Sequence, residues 1–149
     1  PYDNFHLQDS HVIPGLIHKA YNAKRDNHKL TILGSGVALR QFIYSYDVAR
    51  LILLTLFEYA PHHTDPIILS TTPQDEVSIK DIVNNIAEMF DIQQNNIVFD
   101  TSQSDGQLRK TADNSKLLSL YPDFEFTPIK DGLETTIAWF KQNYTKARK

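Results

Sequence analysis

Leu30-Thr-Ile-Leu-Gly-Ser-Gly-Val-Ala-Leu-Arg-Gln-Phe-Ile-Tyr-Ser-Tyr-Asp-Val-Ala49 is the stretch on which the reading of this chain turns. Leu30 to Leu33 is a short apolar run with β-branched members, the pattern of a strand. Gly34-Ser35-Gly36 breaks it, because glycine admits backbone angles and close approaches that a side chain blocks. Arg40 follows four residues after Gly36, just ahead of a second β-prone run, Phe42-Ile43-Tyr44. Asp47 is then expected to cap a helix opening the most apolar segment of the chain. A guanidinium at the mouth of a strand-loop-strand unit is placed to grip a diphosphate, since its planar fork donates bidentate hydrogen bonds. Read locally, the same residues also make an ordinary turn and a surface charge. The loop is not a dinucleotide fingerprint: a third glycine should follow Gly36 three residues on, and Leu39 stands there. No Gly-Lys-Ser/Thr occurs, so it is not a Walker loop either.

On the amino-terminal side, Asp3-Asn4 and Asp9-Ser10 are turn and cap formers around His6 and His11. Val12, Ile13, Leu16, Ile17, Ala20 and Ala23 then form a helical stripe over His11 to Lys24. Ser10 is its expected N-cap, and Pro14 is tolerable because it lies in the first turn. On the carboxy-terminal side, Val48 to Tyr59 is apolar on most of its circumference, which predicts a central buried helix. Residues 61–66 read as a loop and Pro66 to Ser70 as a buried strand. Ser78 opens a capped helix, with Asp81 three residues on and a stripe of Ile79, Ile82, Val83, Ile86, Met89 and Phe90. Ile97-Val98-Phe99 is a short strand, and a polar segment from Asp100 to Thr111 leads to a short helix around Asn114 to Leu120. Thr127-Pro128 opens a last amphipathic helix carrying Ile129, Leu133, Ile137, Trp139, Phe140 and Tyr144. Lys146, Arg148 and Lys149 suit the negative end of its dipole. The Trp139-Phe140 pair reads as core. The expected fold class is α/β, a small α+β-like domain of short strands between helices.

A chain of 149 residues is one ordinary domain with room for a core. With 41% hydrophobic and 11% aromatic residues it is not a disordered chain. A net charge of −3 gives no electrostatic footprint for nucleic acid. The absence of cysteine excludes disulfides, thiolate metal sites and a thiolate nucleophile within these residues. No run approaches the roughly 20 apolar residues of a membrane span, and the start lacks the pattern of a signal peptide. Pro1-Tyr-Asp-Asn-Phe5 reads as the middle of a loop, so the chain is expected to be a piece of a longer protein.

Among residues able to do chemistry, His11 stands at the entry of the first helix, either as a surface or capping histidine or as a proton donor, a role open to the histidine side chain in general. His6 with His11, and His62-His63, lack zinc-site spacing, so no metal is expected. Asp9, Ser10 and His11 are sequence neighbours and poor material for a triad. Ser104-Asp-Gly-Gln-Leu-Arg-Lys110 is a second informative loop. Asp105 can accept from sugar hydroxyls there, and Arg109 and Lys110 can meet phosphate; alternatively the loop is a solvated charged turn.

The series Pro1–Phe5, Ser10-His-Val-Ile-Pro-Gly-Leu16, Leu33-Gly-Ser-Gly36, Arg40-Gln-Phe-Ile-Tyr-Ser-Tyr-Asp47, Val77-Ser-Ile79, Phe99-Asp100, Ser104-Asp-Gly106, Arg109-Lys110, Phe126-Thr-Pro128 and Trp139-Phe140 resembles, in order and spacing, the GDP-L-fucose synthase family of extended short-chain dehydrogenases. The resemblance runs over essentially the whole chain and covers that family's carboxy-terminal, substrate-binding part. It implies that residues 1–149 are a single domain without the dinucleotide-binding (Rossmann) half. The implied activity is that of an NADP-dependent epimerase and oxidoreductase, which epimerises GDP-4-keto-6-deoxy-D-mannose at C3 and C5 and reduces C4 with NADPH. The fragment alone would be inactive, because the NADP loop and the family's Ser, Tyr and Lys lie upstream. By the same resemblance His11 is the catalytic acid and borders the cofactor. Arg40 binds GDP and Asp105 binds substrate. Lys19 and Leu33 stand where bacterial members carry an arginine and a tryptophan; lysine still neutralises phosphate but lacks the fork. The implied setting is a cytoplasmic homodimer with a GDP-sugar as partner. Two alternatives stay open on the residues themselves: another nucleotide-sugar epimerase or dehydratase, and a non-enzymatic binding module.

Overall fold

A computed structural model describes residues 1–59, 65–102 and 104–149. In chain order the elements are α1 (Val12–Arg25), β1 (Leu30–Leu33), β2 (Leu39–Arg40), α2 (Ser45–Glu58), β3 (Val77–Ser78), α3 (Ile79–Met89), β4 (Ile97–Asp100), α4 (Ser115–Leu120) and α5 (Ile129–Gln142). The class is mixed α/β, with short strands between helices, as the sequence predicts. β1 and β4 pair in parallel, Leu30 opposite Ile97 through Leu33 opposite Asp100. β2 and β3 pair antiparallel, Leu39 opposite Ser78 and Arg40 opposite Val77.

The core lies where α1, α3 and α5 meet β1. Ile17 and Ala20 of α1, Leu30 of β1, Ile82 and Ile86 of α3, and Leu133 and Phe140 of α5 are all buried together. Phe5 joins them, stacked on Phe140 at 4.4 Å between ring centres. Trp139 is partly buried and lies against Tyr2 and Phe5, so the aromatic pair is core as expected. The capping box at Ser78 forms as the spacing requires: its hydroxyl accepts from the Asp81 N–H at 3.0 Å and the Asp81 carboxylate accepts from the Ser78 N–H at 3.2 Å. Two more first-turn N–H groups of α3, which a helix leaves without partners, donate to the carbonyls of Ala38 and Gly36 at 3.0 and 2.9 Å. Helix α3 is thereby tied to the glycine loop.

The structure corrects several sequence expectations. Ser10 does not cap α1. Pro14 has no N–H, so the first helical bond runs from the Gly15 N–H to the His11 carbonyl at 3.1 Å, and His11 takes the cap position with no side-chain cap bond. Asp47 does not cap α2 either, since the helix begins at Ser45 behind Tyr44. Its buried carboxylate instead accepts from the Thr127 N–H at 2.7 Å, the Thr127 hydroxyl at 3.1 Å and Arg50 at 3.3 Å, fastening α2 to the approach of α5.

Phe42 to Tyr44 form no strand; past Arg40 the antiparallel register would call on Glu76 and Asp75, where the partner chain is leaving the 3-10 turn Pro73–Asp75, so the ladder stops. Pro66 to Ser70 is likewise not a strand. Asn114 and Gln41 hold its end through side chains, donating to the Ser70 and Thr71 carbonyls at 2.8 and 2.7 Å. Helix α2 is not the central buried helix. Of its apolar residues only Leu51 is buried, while Leu56 and Phe57 are 70% and 78% exposed. The terminal basic residues lie past the end of α5, where the Arg148 carbonyl accepts from the Phe5 N–H at 2.7 Å. The expected loop at 61–66 and its His62-His63 pair fall largely outside the described residues.

One polar group sits inside the core contact of α1 with α5. His18 is buried, its Nδ1 2.8 Å from the Phe5 carbonyl and its Nε2 3.3 Å from the Tyr144 hydroxyl. A carbonyl only accepts, so Nδ1 carries the proton and Nε2 accepts from Tyr144. Burial lowers the affinity of this imidazole for a second proton, and nearby Lys149 and Arg25 act in the same direction against the Phe5 bond. The unfolded chain therefore binds the proton more readily, and stability falls as pH drops below the ordinary imidazole value. Urea midpoints should be lower at pH 5 than at pH 7.5, and the difference should shrink in His18→Gln; an undiminished difference would rule out His18 as its source.

Candidate functional site

Parallel pairing of β1 with β4 brings the ends of both strands to one edge, and the two informative loops leave from there. The Gly34 N–H extends the pairing by donating to the Asp100 carbonyl at 2.8 Å. Beyond it, the Leu39 N–H donates to the Leu108 carbonyl at 2.8 Å, so the loops run side by side. Gly34 and Gly36 both have positive φ, +86° and +78°. A β-carbon on Gly34 would lie 2.5 Å from Asp105 Oδ1, and one on Gly36 would lie 2.6 Å from Phe99 Cε1. Neither position admits a side chain without displacing its neighbour.

A cavity of about 280 Å³ opens beside these loops. His11 and Lys19 from the α1 side, Leu33 and Arg40 from the β1–β2 side, and Asp105 from the far loop all line it. The five residues singled out from the sequence thus meet around one space. Leu33 lies at the end of β1 and is largely exposed. A larger cavity of about 910 Å³ adjoins the first and shares its His11 and Arg40 walls. It continues past Phe42 and Tyr44 to the start of α5.

The charges are arranged asymmetrically. Arg40 donates to the Leu39 carbonyl at 2.6 Å and the Gln107 carbonyl at 2.7 Å. Among the described residues neither Arg40 nor Lys19 has a carboxylate within ion-pair distance. Two of the five guanidinium N–H groups of Arg40 serve the fold and three remain for a ligand. Asp105 accepts from the Ser35 hydroxyl at 2.7 Å and the Ser35 N–H at 2.6 Å. These bonds, with a contribution from the Gly36 N–H, hold its carboxyl below the usual carboxylate range, so it is ionised at neutral pH.

Arg109 and Lys110 line neither cavity, so of the two readings of their loop, phosphate contact or a charged turn, the geometry here favours the second. Arg109 instead pairs with the nearly buried carboxylate of Glu76 at 2.6 Å, and the Thr111 hydroxyl donates to the other oxygen of Glu76 at 2.6 Å. The Arg109 bond is the main reason the Glu76 carboxyl is held below its usual range. Sequence reasoning missed Ser35. A serine between two glycines reads as turn filler, and its partner lies 70 residues away.

The NAD-dependent epimerase/dehydratase family model matches residues 1–67. The chain is 50% identical, over its whole length, to the GDP-L-fucose synthase of Dictyostelium discoideum and covers 46% of that protein. It is 42% identical over its whole length to a probable GDP-L-fucose synthase of Drosophila melanogaster, covering 48% of it. The crystal structure of a GDP-L-fucose synthetase from Naegleria fowleri bound to NADP superposes on the entire chain with a TM-score of 0.95 at 44% identity, and the chain covers 46% of it. A dTDP-glucose 4,6-dehydratase from Bacillus anthracis, at 19% identity and TM-score 0.74, shares the fold alone. The family-model match thus takes in the first 67 of the 149 residues. Along its whole length the chain is similar, in sequence and in fold, to one part of the GDP-L-fucose synthases, and it spans about half the length of the relatives it matches.

Gly34→Ala tests the loop geometry directly. A non-glycine residue held at this φ costs about 1–3 kcal/mol, and the new methyl must also displace Asp105. Chemical denaturation should show a loss of that order, with amide shifts at Ser35 and Asp105; a variant as stable as the parent would contradict the close approach.

Proposed function

We propose that this chain is the carboxy-terminal, substrate-binding domain of an enzyme converting GDP-4-keto-6-deoxy-D-mannose to GDP-L-fucose. One observation carries the reading: two cations without carboxylate partners among the described residues, Arg40 and Lys19, face the same cavity as His11 and an ionised, hydrogen-bonded Asp105. Free cations suit a diphosphate, and a fixed carboxylate suits hydroxyl donors. Pockets for organic ligands run from roughly 300 to 1,000 Å³. The smaller cavity therefore takes the diphosphate and an adjoining sugar unit, and the larger one extends the site past His11 and Arg40.

The chemistry assigned to His11 is proton delivery. Hydrogens on carbons next to a ketone are acidic enough to be removed by an ordinary base, and inversion requires an acid to return the proton to the opposite face. Imidazole can donate near neutrality. Exposed at the head of α1 and lining both cavities, His11 has the reach for that role.

NADP, which the Naegleria relative binds, does not fit these residues as a whole. The Gly34 and Gly36 positions approach Asp105 and Phe99 rather than opening a cradle for a pyrophosphate. Only an edge of the dinucleotide can meet this chain, at His11, and we assign the rest of that site to a separate dinucleotide-binding half. The bare apolar face of α2 is where we place the contact with that half. In this reading the enzyme is a cytoplasmic homodimer whose subunit contact lies in the other half.

GDP added to the chain should shift the amide signals of Arg40 and residues 104–110, and Arg40→Ala should weaken that binding roughly tenfold, the value of one hydrogen bond between charged groups. If saturating GDP left both regions unmoved, the pocket assignment would be wrong. In the complete enzyme His11→Asn should slow proton exchange at C3 and C5 by about 10²–10⁴-fold while dinucleotide binding persists. Undiminished exchange would refute the acid role.

A further inference from the structure

Asp105 lies on a loop that fixes its backbone but not its side chain. The loop is held by the bonds of Arg40 to the Gln107 carbonyl and of the Leu39 N–H to the Leu108 carbonyl, and it turns at Gly106, φ +66°. What fixes the carboxylate is Ser35, with its N–H on Oδ1 at 2.6 Å and its hydroxyl on Oδ2 at 2.7 Å. One residue supplies both donors, and each carboxylate oxygen takes one. Asp105 lines the smaller cavity, whereas Ser35 is not part of its wall. The serine therefore grips the carboxylate from outside the space a ligand would fill.

The glycines on either side make the grip possible. Gly34 brings the turn so close that a β-carbon there would strike Asp105 Oδ1, and Gly36 lets the chain pass over Phe99. A carboxylate has about four acceptor sites over its two oxygens. Ser35 uses two of them and the Gly36 N–H makes a further contribution. At least one site remains for a donor in the cavity.

We propose that Ser35 is a positioning residue for recognition of the sugar: by fixing both oxygens of Asp105, it presents the remaining acceptor capacity to a hydroxyl group of the GDP-sugar. The inference rests on the reading of this cavity as a GDP-sugar site and adds a residue that touches no ligand itself. Ser35→Ala keeps the backbone donor and loses the hydroxyl, freeing the carboxylate to rotate. Ser35→Thr keeps both donors.

The test compares affinities for GDP-mannose and for inorganic pyrophosphate, by calorimetry well below the thermal midpoint of each variant. GDP-mannose should bind Ser35→Ala roughly tenfold more weakly than wild type, Ser35→Thr should recover the loss, and pyrophosphate, which has no sugar hydroxyl, should bind all three alike. A merely structural role would weaken both probes together. Equal GDP-mannose affinity in wild type and Ser35→Ala, a parallel loss for pyrophosphate, or failure of Ser35→Thr to recover binding would overturn the positioning role alone. No binding of GDP-mannose to wild type would overturn the reading of the site, and this inference with it. If Ser35→Ala does not fold, Ser35→Cys, similar in shape but a weak donor, makes the same comparison with the same expected direction.

Discussion

Everything at the site follows from the parallel pairing of two four-residue strands. Leu33 stands opposite Asp100, so β1 and β4 end level with each other. In open α/β sheets ligands gather beyond the carboxyl ends of the strands, because the loops of neighbouring strands converge there. Here the convergence joins a glycine turn to a polar loop about 70 residues further along. An antiparallel pair would have sent the two loops to opposite ends. The pairing itself is secured from behind, since Leu30 and Ile32 of β1 are buried in the core with α1 and α3.

The loops are then fastened to each other by the groups that would otherwise be free to move. Arg40 spends two donors on backbone carbonyls, and Asp105 spends its charge on Ser35. Arg40 and Asp105 are thus partly engaged before any ligand could arrive. That engagement lowers the entropy lost on binding, since the rotamers are already chosen. Lys19 differs from them, a cation on α1 with no carboxylate partner among the described residues. A lysine at that place supplies charge with less directional constraint than an arginine would.

Local signals in the sequence predicted the elements whose stability is local. The Ser78 capping box, the stripe of α1 and the strand Leu30–Leu33 all lie where the residues place them. The misreadings came from residues whose partners are remote. Asp47 has the composition of a helix cap, yet Thr127 recruits its carboxylate from 80 positions away. Arg109 sits in a loop with phosphate-binding chemistry, yet Glu76 claims its guanidinium. Both cases have one cause: a charged side chain settles on the nearest strong partner in space, and distance along the chain does not report it. Five residues of the site were legible as a group only through their resemblance to a family pattern. Their meeting at one cavity required the β1–β4 register, which no local pattern encodes.

Helix α2 shows the limit of periodicity as a guide. Its sequence demands a cover for Ile52, Leu53, Leu56 and Phe57, and all four are more than half exposed. Apolar composition says that a face avoids water; it does not name the surface that shields it. The core of the described residues is already closed by α1, α3 and α5, with Leu51 the apolar side chain α2 buries. The helix is anchored at its start through Asp47 and Thr127, while its greasy middle points away from that core. A contiguous apolar face on a rigidly anchored helix has the character of an interface. Its sequence reads as core because, residue by residue, an interface and a core are built from the same side chains.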